Sequence, residues 1–190
     1  MSDPTPRGFP LVRLVPLALE HLPLVMTWVN DREVMQYFAA RQERIEEEAE
    51  RAYLASLIAS RTDRAFSVFA GDGEGLESYV GQCSVNQIYW PARNGRVFLV
   101  VRREMQERGL GAAALSALVA HAFGALDLHK LWLIVRRDNV RAQAMYLRAG
   151  FHFEGVLRDE YFVGGRFFDM VRMSAIRAAD GGAGAQALEP

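Results

Sequence analysis

The chain has 190 residues, 51% of them hydrophobic and 24% charged, with a formal net charge of -1. That balance gives one globular domain with enough apolar material for a sizeable core and no need of a second domain. Near-neutrality excludes indiscriminate binding to nucleic acid or to an anionic membrane, and the single cysteine, Cys83, excludes an internal disulfide.

Pro4, Pro6 and Pro10 make the opening an extended lead-in, expected to be flexible over residues 1–8, with the domain running from 9 to 177. FPLVRLVPL (9–17) reads as a first strand. Leu22, Val25, Met26 and Val29 recur at helical spacing and predict a helix that stops at Asn30 and Asp31. RIEEEAERAYLASLIAS (44–60), with its acids early and its apolar residues late, predicts a second amphipathic helix whose dipole is well matched. AFSVFA (65–70), YVGQCSVNQIYW (79–90) and RVFLVV (96–101), separated by turn-rich segments, predict an antiparallel meander. A helix follows, with Leu115, Leu118, Val119 and Ala122 along one stripe, and then the apolar run HKLWLIVRR (129–137). That run reads as a buried strand parallel to the one ending at Val101, reached by a right-handed crossover. DNVRAQAMYLRAG (138–150) predicts a short helix closed by Gly150, with Val140, Ala144 and Leu147 as its apolar stripe. FHFEGVLRDEYFV and RFFDMVRMSAI pair as a hairpin about Gly164 and Gly165, and the small, Gly-rich tail 178–190 is expected to be disordered.

His21, His121, His129 and His152 are scattered singly and give no zinc spacing, so no metal is expected. No segment is apolar for long enough to cross a bilayer, no signal peptide opens the chain, and the cytoplasm is the default address.

The candidate site begins at MQERGLGAAALSALVAHAF (105–123), where two glycines stand at a helix entrance. Glycine costs about 1 kcal/mol against alanine inside a helix, so the bare entrance needs a reason. Gly109 and Gly111 let an anion approach amides that the first turn leaves unpaired, and Arg102, Arg103 and Arg108 add positive charge. A phosphate or pyrophosphate is the natural guest. The second element is the short helix, where Asn139 and Tyr146 stand two turns apart and face nearly the same line. By themselves they read first as a helix cap and a packed aromatic.

Taken together, the Q-x-x-G-x-G entrance, the downstream Asn139 and Tyr146, and the closing pattern GFHFEGVLRDEYFVGGRFFDMVRM resemble the GCN5-related N-acetyltransferase (GNAT) superfamily, in its ribosomal-protein and spermidine acetyltransferase branch. The resemblance covers roughly residues 9–177 and is strongest from Arg96 to Met173. It implies an α/β (α+β) fold with a mixed, mostly antiparallel sheet flanked by helices, whose one parallel strand pair is splayed at the cofactor site. Acetyl coenzyme A is the implied co-substrate. Its pyrophosphate is implied to lie on Gln106, Glu107, Arg108, Gly109, Leu110, Gly111 and Ala112, and its pantetheine arm along Leu99, Val100 and Val101, where the family's strand carries a bulge. Asn139 is implied to contact the cofactor, and Tyr146 to give a proton to the departing thiolate.

The expected activity is direct acetyl transfer to a primary amine in a ternary complex. The segments RVFLVV and GQCSVNQIYW, where relatives place a carboxylate base, contain no acid, so the base stays open between Glu154, Asp159, Glu160 and an ordered water. Spermidine is disfavoured, because QYFAARQER, Ser84, Gln87 and Arg96 stand where acids would hold a polycation. The acceptor is expected to be a protein N-terminal α-amino group or a small-molecule amine, with Trp28, Tyr37, Phe38, Tyr89, Trp90, Tyr161 and Phe162 as possible walls. A homodimer is left open. The alternative class is a module that binds acyl-CoA without turnover, and a nucleotide-binding regulatory domain is a distant third.

Overall fold

The computed structural model describes residues 10–38, 44–73 and 75–178. The expected lead-in, and the expected tail apart from Ala178, lie outside these residues. Strands β1 (Val12–Pro16), β2 (Arg64–Ala70), β3 (Tyr79–Tyr89), β4 (Asn94–Val101), β5 (Lys130–Arg136), β6 (His152–Val163) and β7 (Arg166–Ile176) carry the fold. Among the described residues they make one sheet in the order β1-β2-β3-β4-β5-β7-β6. Every neighbouring pair is antiparallel except β4 and β5, the expected parallel pair.

Two helical layers cover the sheet. On one face lie α1 (Leu22–Val25), α2 (Arg32–Met35) and α3 (Glu47–Ala59), packed through Leu22, Val25, Trp28, Val34, Leu54 and Leu57 onto Phe69, Tyr79 and Val100. The indole N–H of Trp28 donates to the Tyr79 hydroxyl at 3.0 Å, so a buried aromatic pair is also polar-satisfied. On the other face lie α4 (Leu110–Gly124) and α5 (Val140–Arg148), packed on Val97, Leu131, Leu133, Val171 and Met173.

Two expectations need correction. The single first helix is broken: a 3-10 turn (Leu19–His21) precedes the four-residue α1, and turns separate it from α2. The Thr27 hydroxyl donates back to the Leu24 carbonyl at 2.6 Å and the Trp28 amide bonds Val25 three residues back, which tightens the chain, while Asp31 caps α2 through the amides of Glu33 and Val34. In α5 the stripe facing the core is Ala142, Met145, Tyr146 and Ala149, whereas Val140 and Leu147 are exposed. Tyr146 therefore sits on the packed side of its helix.

Candidate functional site

The register places the site. Parallel pairing of β4 with β5 covers only Asn94–Lys130, Gly95–Leu131 and Arg96–Trp132. Beyond Arg96, β4 continues against β3 alone, up to Val101 opposite Gly81. The Arg102 amide bonds the Val80 carbonyl at 2.9 Å, which makes Gly81–Val101 a non-hydrogen-bonded pair. By the alternation of an antiparallel ladder, the main-chain groups of Leu99 and Val101 then point away from β3, into the gap where β5 has left. Those of Val100 face β3, and its side chain is buried under the α1–α3 layer, so of the three expected strand contacts Val100 offers no free main-chain group.

The expected bulge over Leu99–Val101 is absent, since the register with β3 runs unbroken from Arg96 to Val101. Bulges lie on β3 instead: one at Gln87, whose φ is 52°, and one against β2 between Tyr79 and Gly81. The strands part because β5 stops pairing, not because β4 kinks.

Beside this gap α4 begins. Gly109 is its N-cap with φ 75°, a left-handed geometry that glycine adopts without strain, and no side chain caps the helix. The first intrahelical bond comes from the Ala113 amide to the Gly109 carbonyl at 3.0 Å, so among the described residues the amides of Leu110, Gly111 and Ala112 precede it unpaired. Gly111 has a second reason to be bare, because a Cβ there would stand 3.3 Å from Val101 and 3.7 Å from the Met145 sulfur. The entrance of α4 thus fits closely between the end of β4 and α5.

Around this entrance several side chains are engaged with the protein. The Gln106 amide donates to the Val101 carbonyl at 3.0 Å, and Glu107, at φ 63°, pairs with Arg141 of α5 at 2.9 Å. Leu110 is buried in the core. Two of the three expected cations are committed elsewhere. The buried guanidinium of Arg102 donates to the Tyr79 and Leu76 carbonyls at 2.6 and 2.7 Å, and Arg103 pairs with Glu33 at 3.1 Å. Arg108, exposed beside Met105, remains near the entrance.

Helix α5 supplies the other two residues. Asn139 is the N-cap, its side-chain oxygen accepting from the Ala142 amide at 3.1 Å, so its NH2 group alone is left for a ligand. Tyr146 is half-buried with its ring 5.8 Å from that of Phe151, and among the described residues its hydroxyl takes no protein hydrogen bond. Burial pushes its phenol up to about 12. Met145 ties this helix to Gly111, so Tyr146 belongs to the same corner of the molecule as the unpaired amides.

The acetyltransferase (GNAT) domain profile matches residues 12–152. The chain belongs to the GNAT acetyltransferase family. It is an N-acetyltransferase. It is 31% identical over 164 residues to the spermidine N(1)-acetyltransferase of Escherichia coli (strain K12), covering 85% of this chain and 84% of that protein. The spermidine N(1)-acetyltransferase of Vibrio cholerae is 26% identical over 149 residues, 78% of this chain and 83% of the other. In fold, the crystal structure of the Vibrio cholerae spermidine N-acetyltransferase in complex with CoA and spermine superposes with a TM-score of 0.80 at 24% identity, over 87% of this chain and 95% of that one.

In this GNAT chain the candidate bases are not brought to the gap as free carboxylates. Burial raises Glu154, but hydrogen bonds and charge from Lys130, Ser174 and Arg172 outweigh it and hold its carboxyl below the ordinary range. Asp159 and Glu160 lie exposed in the irregular stretch of β6 between Leu157 and Tyr161. The expected aromatic walls are scattered: Trp28 is core, Phe38 packs on Phe98 at 5.3 Å, Trp90 bonds the Arg61 carbonyl, and Phe162 lies exposed against Phe167. Tyr37 and Tyr161 do face guanidinium groups, those of Arg136 and Arg96. Among the described residues no group of His, Cys, Asp and Glu could hold a metal, and no helix is long and apolar enough to cross a membrane.

Sequence reasoning missed Gly81. Its φ is 152°, and a Cβ there would stand 2.2 Å from the Val100 carbonyl oxygen. The signal was present in YVGQCSV, since a lone glycine inside a strand pattern marks a bulge or a close backbone approach.

Proposed function

We propose that the chain transfers the acetyl group of acetyl coenzyme A directly to the primary amine of a small molecule, with residues 9–177 acting as one catalytic unit. The observation that carries this reading is the parting of β4 from β5 after Arg96–Trp132, directly beside an uncapped helix start. Acetyl coenzyme A supplies the thioester and, after transfer, the thiolate leaving group.

The amides of Leu110, Gly111 and Ala112 hold the pyrophosphate at the positive end of α4, with Arg108 adding charge. Leu99 and Val101 align the pantetheine arm as an extra strand would be aligned, and the Asn139 NH2 group contacts it. The Val101 amide faces the acyl oxygen and stabilises negative charge as it develops there. The amine nitrogen forms its bond to the acyl carbon as the carbon–sulfur bond breaks. The Tyr146 hydroxyl gives its proton to the sulfur, while the proton lost by the ammonium leaves through water. Tyr146 then recovers a proton from solvent. Exclusion of water raises the phenol, and it raises a thiol held beside it in the same direction, so burial does not widen the gap between the two by the whole of the phenol's rise. A small-molecule acceptor is favoured over a protein N-terminus because the relatives above are named for spermidine.

Thiol release with a panel of amines, followed by mass detection of the acetylated product, tests the reading. Turnover with at least one small amine is expected. Coenzyme A that raises Tm without thiol release from any amine would mark a binding module in place of an enzyme. Gly111→Leu is expected to weaken coenzyme A affinity at least about tenfold, close to 1.4 kcal/mol, because its side chain presses on Val101 and Met145 and covers the amides. Unchanged affinity in a calorimetric titration of that variant counts against the pyrophosphate site.

A further inference from the structure

The sheet face under α1–α3 extends past those helices onto β4, β5 and β7, and there it carries an unusual side-chain set. Arg96 on β4 stands opposite Asn86 on β3 and Trp132 on β5, so the three share this face at the point where the strands begin to part. The guanidinium of Arg96 lies 5.7 Å from the centroid of the Trp132 ring, and that of Arg172 lies 4.0 Å from the same ring. Arg96 also donates to the Tyr161 hydroxyl at 3.2 Å.

Along β3 on the same face run Gln82, Ser84 and Asn86, paired with Val100, Phe98 and Arg96. Gln82 and Ser84 are 3% and 1% exposed, yet neither side chain has a hydrogen bond among the described residues. The side-chain oxygen of Asn86 is buried without any partner among the described residues. It is the one buried polar side-chain atom among them that lacks a partner, and with Gln82 and Ser84 it makes a polar row beside the gap.

Charge narrows the ligand. The carboxylate of Glu154 on this face is engaged by Lys130, Arg172 and Ser174. At the neighbouring end Asp138 is engaged by Arg136, and Glu33 by Arg103. Asp159 and Glu160 stay exposed in β6 just before Tyr161. Arg96 is half-buried and has no carboxylate within ion-pair distance among the described residues. A remote ammonium, as in a diamine, meets two stacked guanidinium groups here, whereas a carboxylate finds a planar fork with donors to offer.

We propose that the amine acceptor carries a carboxylate at its remote end and that Arg96 selects it, beside the polar row of Gln82, Ser84 and Asn86. The proposal rests on the acetyltransferase reading and gives its acceptor a chemical class. From Arg96 to Leu99 is three strand residues, about 10 Å, so the acceptor spans a short aliphatic chain between its amine and its carboxylate.

The test compares ω-aminovalerate with cadaverine, which differ only in the remote group, and with spermidine, by thiol release at saturating acetyl coenzyme A. The aminocarboxylate is expected to have the higher kcat/KM, by tenfold or more. Arg96→Gln is expected to raise its KM at least about tenfold and leave the coenzyme KM unchanged, since a lost charge-assisted hydrogen bond is worth that much. Arg96→Lys, which keeps the charge, is expected to recover part of the preference, and equal Tm values for these variants separate selection from folding. Equal or better turnover of cadaverine or spermidine overturns the proposal and leaves the acetyltransferase reading standing. Absence of thiol release with every amine, at an intact coenzyme-induced rise in Tm, overturns both.

Discussion

Tyr146→Phe is expected to lower kcat by about a hundredfold while changing the affinity for coenzyme A by less than about threefold. The substitution removes one oxygen from a hydroxyl that has no protein partner among the described residues, and keeps the ring that packs against Phe151 at 5.8 Å. Folding should therefore be nearly untouched, so the loss can be read as chemistry. The pH dependence carries a second sign. Burial pushes the phenol up to about 12, so the proton-bearing form needed for donation to sulfur persists across the working range. The rate should not fall between neutrality and pH ~10 on account of this residue, and any alkaline decline there must survive in Tyr146→Phe. Wild-type kcat in the variant removes Tyr146 from the mechanism.

Gly81→Val is expected to lower Tm by roughly 10 °C. A Cβ at this position stands 2.2 Å from the Val100 carbonyl oxygen, and φ of 152° is one that side chains rarely adopt. Overpacking and backbone strain each cost about 1–3 kcal/mol, and a domain of this size loses roughly 2–4 °C per kcal/mol. Relief requires β3 to move away from β4 at the level of Val101, so coenzyme affinity should fall together with stability. Gly81→Ala, a milder change of the same kind, is expected to move both quantities in the same direction by less. A Tm and an affinity within error of wild type for the valine variant would show that the close approach of the strands is unimportant.

Much of the architecture is readable from local pattern. The apolar run LWLIV gives β5, the acid-first segment gives α3, and the paired glycines at 164 and 165 give the last hairpin. Gly109 and Gly111 mark the helix entrance correctly, although for reasons that divide: one glycine holds a left-handed cap, the other makes room for Val101 and Met145. The α5 stripe misleads because Val140 and Leu147 are large while Ala142 and Ala149 are small, and size outweighed a spacing that fits the core equally well. Arg102 illustrates what local pattern cannot hold. Its partners, the carbonyls of Tyr79 and Leu76, lie more than twenty residues away and are fixed only by the register of β3 on β4. The same is true of Glu154, whose neighbours come from β5 and β7.

The short contact between β4 and β5 has a consequence for the molecule as a whole. Strands β1–β4 and strands β5–β7 are two panels joined edge to edge by a seam of three residue pairs, and the seam unzips beside the start of α4. A co-substrate threaded into that opening replaces the missing rungs, so occupancy stitches the panels together. The amides of Leu99 and Val101 should then exchange with deuterium far faster than their neighbours in the free protein, and slow sharply on loading.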